Sequence, residues 1–139
     1  MDNEVFTNAV AQLSLRFANK AAQVLSKPVV GQWNTIADNM TILFDESKQV
    51  HIEYEGFPEG NIYFLKYVKQ ADVVLLGYPL MYDMPTQIRL NDIQFYDKLM
   101  WSEGPAMTQS MHTITYLDLK NYTNAAEAFK KSLLNIHPP

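Results

Sequence analysis

The sequence predicts an all-α protein of stacked αα-hairpins carrying one short β-hairpin-like insertion at about 41–60. Two observations carry this reading. Over most of the chain apolar residues recur at every third or fourth position, the period of a helix with one covered face. Between Thr41 and Gly60 the period changes to alternation around a polar cluster, the mark of a short hairpin, and nowhere do strands and helices alternate as a parallel sheet would require. At 139 residues, with 47% hydrophobic and 19% charged residues, the chain suits one globular domain rather than a disordered segment.

The first helix covers about residues 4–25, where Phe6, Val10, Leu13, Phe17, Ala21 and Val24 form the stripe expected to face inward. Ser26-Lys27-Pro28 ends it, because proline cannot continue the hydrogen-bond ladder. A shorter helix from Val29 to Met40 follows, with Trp33, Ile36 and Met40 inward. In the excursion, Ile42 and Phe44, then Val50, Ile52 and Tyr54, alternate around Asp45-Glu46-Ser47-Lys48, and Gly56, Pro58 and Gly60 close it as a loop. The apolar run Ile62–Leu76 reads as a buried helix stopped by Gly77 and Pro79. Another helix starts around Asp83-Met84-Pro85, where a first-turn proline loses no hydrogen bond, with Ile88, Phe95 and Leu99 on one face. Residues 101–105 break the chain, Met107, Met111 and Ile114 begin the next helix, and Asn121 is a suitable N-cap for the last, whose Tyr122, Ala126, Phe129, Leu133 and Ile136 share a stripe. The total is about six helices.

A formal charge of −4 and a pI near 5.2 lack the basic footprint that nucleic acid or an anionic membrane attracts. The stretch Ala71–Leu80 is interrupted by Asp72, Gly77 and Pro79, well short of the ~20 apolar residues that span a bilayer. An acidic start, Met1-Asp2-Asn3-Glu4, differs from the basic opening of a secretory signal and points to the cytoplasm. Without cysteine there are no disulfides, thiolate ligands or thiol nucleophiles.

Gly-rich phosphate loops, HExxH, GxSxG and CxxC are all missing, and His51, His112 and His137 are too separated to form a zinc site by spacing. No metal site is expected from this spacing. His112, between Met111 and Ile114, reads as a hydrogen-bonded structural histidine, and Asp45, Glu46, Glu53 and Glu55 read as solvated turn acids. The unusual segment is Lys69-Gln70-Ala71-Asp72, which leads directly into Val73-Val74-Leu75-Leu76. From composition it reads first as a helix N-terminus with a solvated lysine, and otherwise as a lysine and a glutamine projecting into a cavity to bind an oxygen-rich ligand such as a sugar. Tyr63, Phe64, Tyr67 and Tyr78 nearby suit either a sugar face or a core.

Four stretches together resemble glycoside hydrolase family 65, in its acid-trehalase-like subgroup: Asp2-Asn3-Glu4-Val5-Phe6-Thr7-Asn8, Ser14-Leu15-Arg16-Phe17-Ala18, Lys69 through Pro79 (KQADVVLLGYP), and Gly104-Pro105-Ala106-Met107-Thr108 with Ser110-Met111. They run in order along nearly the whole chain, and KQADVVLLGYP is the most specific.

The resemblance implies that residues 1–139 are part of an (α/α)6 barrel catalytic domain, without the flanking β domains of the family, and that no cofactor is needed. It implies inverting hydrolysis of the terminal glucose of glucosyl-galactosyl-hydroxylysine or a related α-glucoside, with Lys69 and Gln70 contacting that glucose in the −1 subsite. The family's proton donor falls just upstream of Met1 and its base downstream of Pro139. The resemblance therefore supplies no catalytic residue within the chain, and Glu4 occupies a different motif position from the donor. A partial barrel would leave interior groups such as Trp33, Met107 and Met111 uncovered. Two readings follow: a piece of a glycosidase that is inactive alone, or a non-catalytic helical module prone to self-association.

Overall fold

The computed structural model describes residues 2–57, 68, 70, 72–101 and 104–134. Among these, five α-helices and one two-stranded sheet follow in the order α1 (Val5–Val24), α2 (Gly31–Asp38), β1 (Phe44–Asp45), β2 (Val50–His51), α3 (Thr86–Asp97), α4 (Ala106–Asp118) and α5 (Tyr122–Ser132). A single 3₁₀ turn, Val74–Leu76, precedes α3. α1 packs on α2 and α4 on α5, so the all-α, αα-hairpin architecture is present. The expected helix through 62–76 is not: Val68 forms an isolated parallel bridge with Met100, and Asp72–Leu76 is turn and 3₁₀. The β-branched pair Val73-Val74 is a poor helix former. The remainder of that run, 62–67, 69 and 71, lies outside the described residues, as does the expected continuation of α5 at 135–136.

Local chemistry sets the ends. The Glu4 carboxylate caps α1, accepting from the N–H groups of Phe6 at 2.9 Å and Thr7 at 2.6 Å, a favourable place for negative charge. Ser26 at φ 52° ends α1, with Lys27 N–H returning to Ala22 C=O at 2.7 Å. Asn121 caps α5 through Asn124 N–H, as its sequence position predicts. In the hairpin, Asp45 Oδ1 accepts from Ser47 N–H at 2.8 Å and Lys48 N–H at 3.0 Å, an Asx turn that reverses the chain. The register pairs Phe44 with His51 and Asp45 with Val50.

The core gathers Val5, Ala9, Val73, Val74, Leu76, Ile93, Tyr96, Met100, Tyr116, Ala125 and Ala128. This corrects the phase of three helices. In α1 the buried residues are Val5, Ala9, Gln12 and Asn19, one position off the expected stripe, and Phe17 and Val24 are 70% and 78% exposed. The reason is polar. Gln12 Nε2 donates to Ala37 C=O and Gln12 Oε1 accepts from Tyr82 O–H; Asn19 Nδ2 donates to Val30 C=O and Asn34 Oδ1, and Asn19 Oδ1 accepts from Val30 N–H. The α1–α2 seam is laced by amides that satisfy backbone groups. In α5 the small residues Ala125 and Ala128 are buried, and Tyr122, Ala126, Phe129 and Leu133 are exposed. On α2, Ala37 is buried, whereas Trp33 and Ile36 lie at the surface.

Helix α3 grips the hairpin. Asp92, almost fully buried, accepts from the His51 N–H on one oxygen and pairs with His51 Nδ1 on the other, both at 2.8 Å. One turn later the Tyr96 hydroxyl donates to His51 C=O at 2.9 Å and accepts from Glu53 N–H at 3.0 Å. One turn before Asp92, Arg89 forms an ion pair with Asp118 of α4. Gly77 lies against Arg89 so closely that a Cβ there would collide with its side chain.

Two substitutions test this framework by urea unfolding. Asp92→Ala strands a buried histidine and its N–H and should cost roughly 3–5 kcal/mol. Gly77→Ala overpacks the Arg89 contact and should cost about 1–3 kcal/mol.

Candidate functional site

The hairpin return delivers two segments to the start of α1. Val5 N–H donates to Glu53 C=O at 2.9 Å, and Glu55 N–H donates to Asp2 C=O at 3.0 Å. Asn3, in the left-handed region at φ 50°, which asparagine tolerates, donates from Nδ2 to the Glu55 carboxylate at 2.8 Å. Asn8 Nδ2 donates to Thr41 C=O. The Asp2–Asn8 motif is thereby tied to both ends of the excursion between α2 and the hairpin return.

Three carboxyl groups from three segments influence one another here: Glu4 at the α1 cap, Glu53 on the hairpin return, and Asp72 from the KQAD segment. Burial pushes the Glu53 carboxyl up, and the negative charges of Asp72 and Glu4 push it further, to about 7. Asp72 is raised by burial and then by Glu4. Like charges in a poorly solvated place cannot all ionise cheaply, so one keeps a proton. The expectation that Glu53 is a solvated turn acid is therefore wrong: the Tyr96 hydrogen bond to its N–H holds it inward, where it is half-buried. Protonated near neutrality, Glu53 can donate a hydrogen bond or a proton to an oxygen atom. A groove of about 330 Å³ along the hairpin return is lined by Phe44, Tyr54 and Phe57 with Glu55 among its walls, and Glu53 does not line it.

Of the predicted sugar contacts, Lys69 lies outside the described residues, as do Tyr63, Phe64 and Tyr67. Gln70 is exposed at a bend, two residues before Asp72, and Tyr78 is exposed. Sequence reasoning missed Asp72 and Glu53 as a coupled pair, and the signal that could have found Asp72 was its place inside KQAD. His112 is a structural histidine as expected: fully buried, its Nδ1 lies 2.9 Å from Asp97 Oδ1, and Tyr116 O–H donates to the other oxygen. Burial alone would raise Asp97, but the His112 hydrogen bond and charge, with Lys131 and Tyr116, hold it below the usual carboxylate value. Among the described residues no group of three or more acidic and histidine side chains is arranged to hold a metal ion. Nor is any described helix long and apolar enough to cross a membrane.

Mostly helical, with Asp72 brought within the influence of Glu4 at the α1 cap, the chain has the form of a piece of an all-α barrel. No protein-family model matches it. Individual proteins do: it is 41% identical over all 139 residues to a protein-glucosylgalactosylhydroxylysine glucosidase of Danio rerio, covering 20% of that relative. A kojibiose hydrolase of Mucilaginibacter mallensis is 38% identical over the whole chain, again with 20% of the relative covered. A periplasmic/secreted acid trehalase of Candida glabrata is 30% identical over 93% of this chain and 10% of its own length. The chain is thus homologous, along its whole length, to a segment of glucosidase-type glycosidases, spanning about a fifth of the length of the glucosidase and kojibiose hydrolase relatives.

The pKa directions give the pH dependence of stability. Folded Glu53 holds a proton that the unfolded chain releases near 4.5, so stability should fall as pH rises from there through about 7 and level off above. Glu53→Gln should flatten that slope. Asp97 acts oppositely: its contribution is present above its ordinary value of 3.8 and is lost as pH falls below it. Thermal melts of both proteins across pH 3–9 check the two limbs.

Proposed function

We propose that this chain forms part of the sugar-binding wall of an inverting glycosidase that removes the terminal glucose of glucosyl-galactosyl-hydroxylysine or a related α-glucoside such as kojibiose. The observation that carries the reading is the identity to glucosidases along the whole chain, the KQADVVLLGYP segment included. Lys69 and Gln70 are the residues assigned to the glucose, as donors and acceptors to its hydroxyls. The exposed position of Gln70 supports this, as does the polar junction that starts two residues later at Asp72.

In inverting hydrolysis one carboxylic acid protonates the glycosidic oxygen and a second carboxylate activates water from the opposite face of the ring. The family resemblance assigns neither role to a residue of this chain. The 139-residue chain should therefore release no glucose from kojibiose, trehalose or glucosyl-galactosyl-hydroxylysine in a coupled glucose assay. Glucose release that disappears in Lys69→Ala would refute that claim.

The exposed apolar residues of α1, α2 and α5 favour a second reading, that of a helical interaction module that self-associates. Sedimentation velocity separates the two: a monomer across a concentration series removes the module reading, and concentration-dependent association weakened by Phe129→Glu supports it.

A further inference from the structure

The inward face of α4 is polar. Thr108, His112 and Thr115 lie four and three positions apart, which puts them on one side of the helix, and all three are almost wholly buried. Leu119 continues that side and packs on the core. Among the described residues, five buried side-chain atoms have no hydrogen-bonding partner in the protein. Four of them belong to this helix: Thr108 Oγ1, Gln109 Oε1, His112 Nε2 and Thr115 Oγ1. Buried polar atoms of folded proteins are nearly always bonded, to protein or to ordered water, so a run of them along one helix marks a place where something binds.

A helical threonine can satisfy itself by donating to the carbonyl four residues back. Thr113 does so, to Gln109 C=O at 2.8 Å; Thr108 and Thr115 do not. His112 is fixed from its other nitrogen, since Nδ1 lies 2.9 Å from Asp97 Oδ1. In a helix a long side chain leans toward the N-terminus, which carries the His112 ring over the turn that holds Thr108. The occupant must suit every one of these groups. Nε2 offers a lone pair in the neutral ring and an N–H in the charged one, a hydroxyl both donates and accepts, and an amide oxygen accepts. Water, with two bonds to give and two to receive, meets all of them. A cation would lack a free carboxylate, because Asp97 already faces His112 and Tyr116.

We propose that the Thr108, His112 and Thr115 face of α4 binds internal water, with one molecule bridging the Thr108 hydroxyl and His112 Nε2. Through His112 that molecule ties α4 to Asp97, the last residue of α3. The site is internal and independent of the sugar contacts assigned to Lys69 and Gln70.

Thr108→Val, which exchanges the hydroxyl for a methyl group of similar shape, separates a hydrated hydroxyl from a dry one. Removal of a dry, unpaired hydroxyl would raise the urea midpoint. Removal of one that is bonded to held water leaves that water short of a partner, and the midpoint should fall. Oxygen-17 relaxation dispersion of the solvent reads the water directly. The wild-type chain should show water held for longer than the protein takes to tumble, and Thr108→Val should lose the share of one molecule. Cross-peaks between water and the ring C–H protons of His112, with the sign of a bound molecule, carry the test in the wild-type chain should Thr108→Val not fold. A midpoint that does not fall, a dispersion that Thr108→Val leaves unaltered, or a wild-type His112 ring without those cross-peaks each overturns the proposal.

Discussion

Two side chains one helical turn apart, Asp92 and Tyr96, hold the hairpin in its place beside the start of α1. Asp92 takes both polar groups of His51, and the Tyr96 hydroxyl bridges His51 C=O and Glu53 N–H. From there backbone hydrogen bonds run to the start of α1, which carries the first recognisable motif. Removal of either partner would leave buried polar atoms unpaired, which costs more than the bond itself contributes. The hairpin is too short to stand alone, since each strand has two residues. An isolated two-stranded hairpin is at best marginal in water, so α3 is what gives it a fixed place.

That placement has an electrostatic consequence. By holding the hairpin return against the α1 cap, α3 brings Glu53 into the field of Glu4 and Asp72. Burial and their mutual repulsion raise both Glu53 and Asp72. The same junction couples Asp72 to Glu4 of the first-helix motif, two residues separated by more than sixty positions in sequence. Tyr96 and Val73, the chain neighbour of Asp72, belong to one buried cluster.

Much of the fold is legible in the sequence. The helical periods, the proline stops, the Asn121 cap and the turn at Asp45 are all local effects, and all appear where the pattern puts them, the run 62–76 excepted. What the pattern misses is which side of a helix is buried. Phe6, Val10, Leu13 and Phe17 outweigh Val5, Ala9, Gln12 and Asn19 in apolarity, yet the second set is buried because two amides satisfy backbone groups of α2 and the loop before it. Hydrophobic periodicity cannot register an amide buried for its hydrogen bonds. In α5, alanines make the inward face, and the bulky side chains are exposed. The site divides the same way: Gln70 stands out by resemblance, whereas Glu53 becomes interesting only through a hydroxyl forty-three positions away.

The central claim, that the grip of α3 sets the protonation of the junction, is tested most directly by following the Glu53 carboxyl carbon by ¹³C NMR through a pH titration, in the wild-type chain and in Tyr96→Phe. The account predicts a midpoint near 7 in the wild type and a clear fall toward the ordinary carboxylate range once the hydroxyl that holds Glu53 N–H is gone. A wild-type midpoint near 4.5, or a raised midpoint that Tyr96→Phe leaves unmoved, would contradict it.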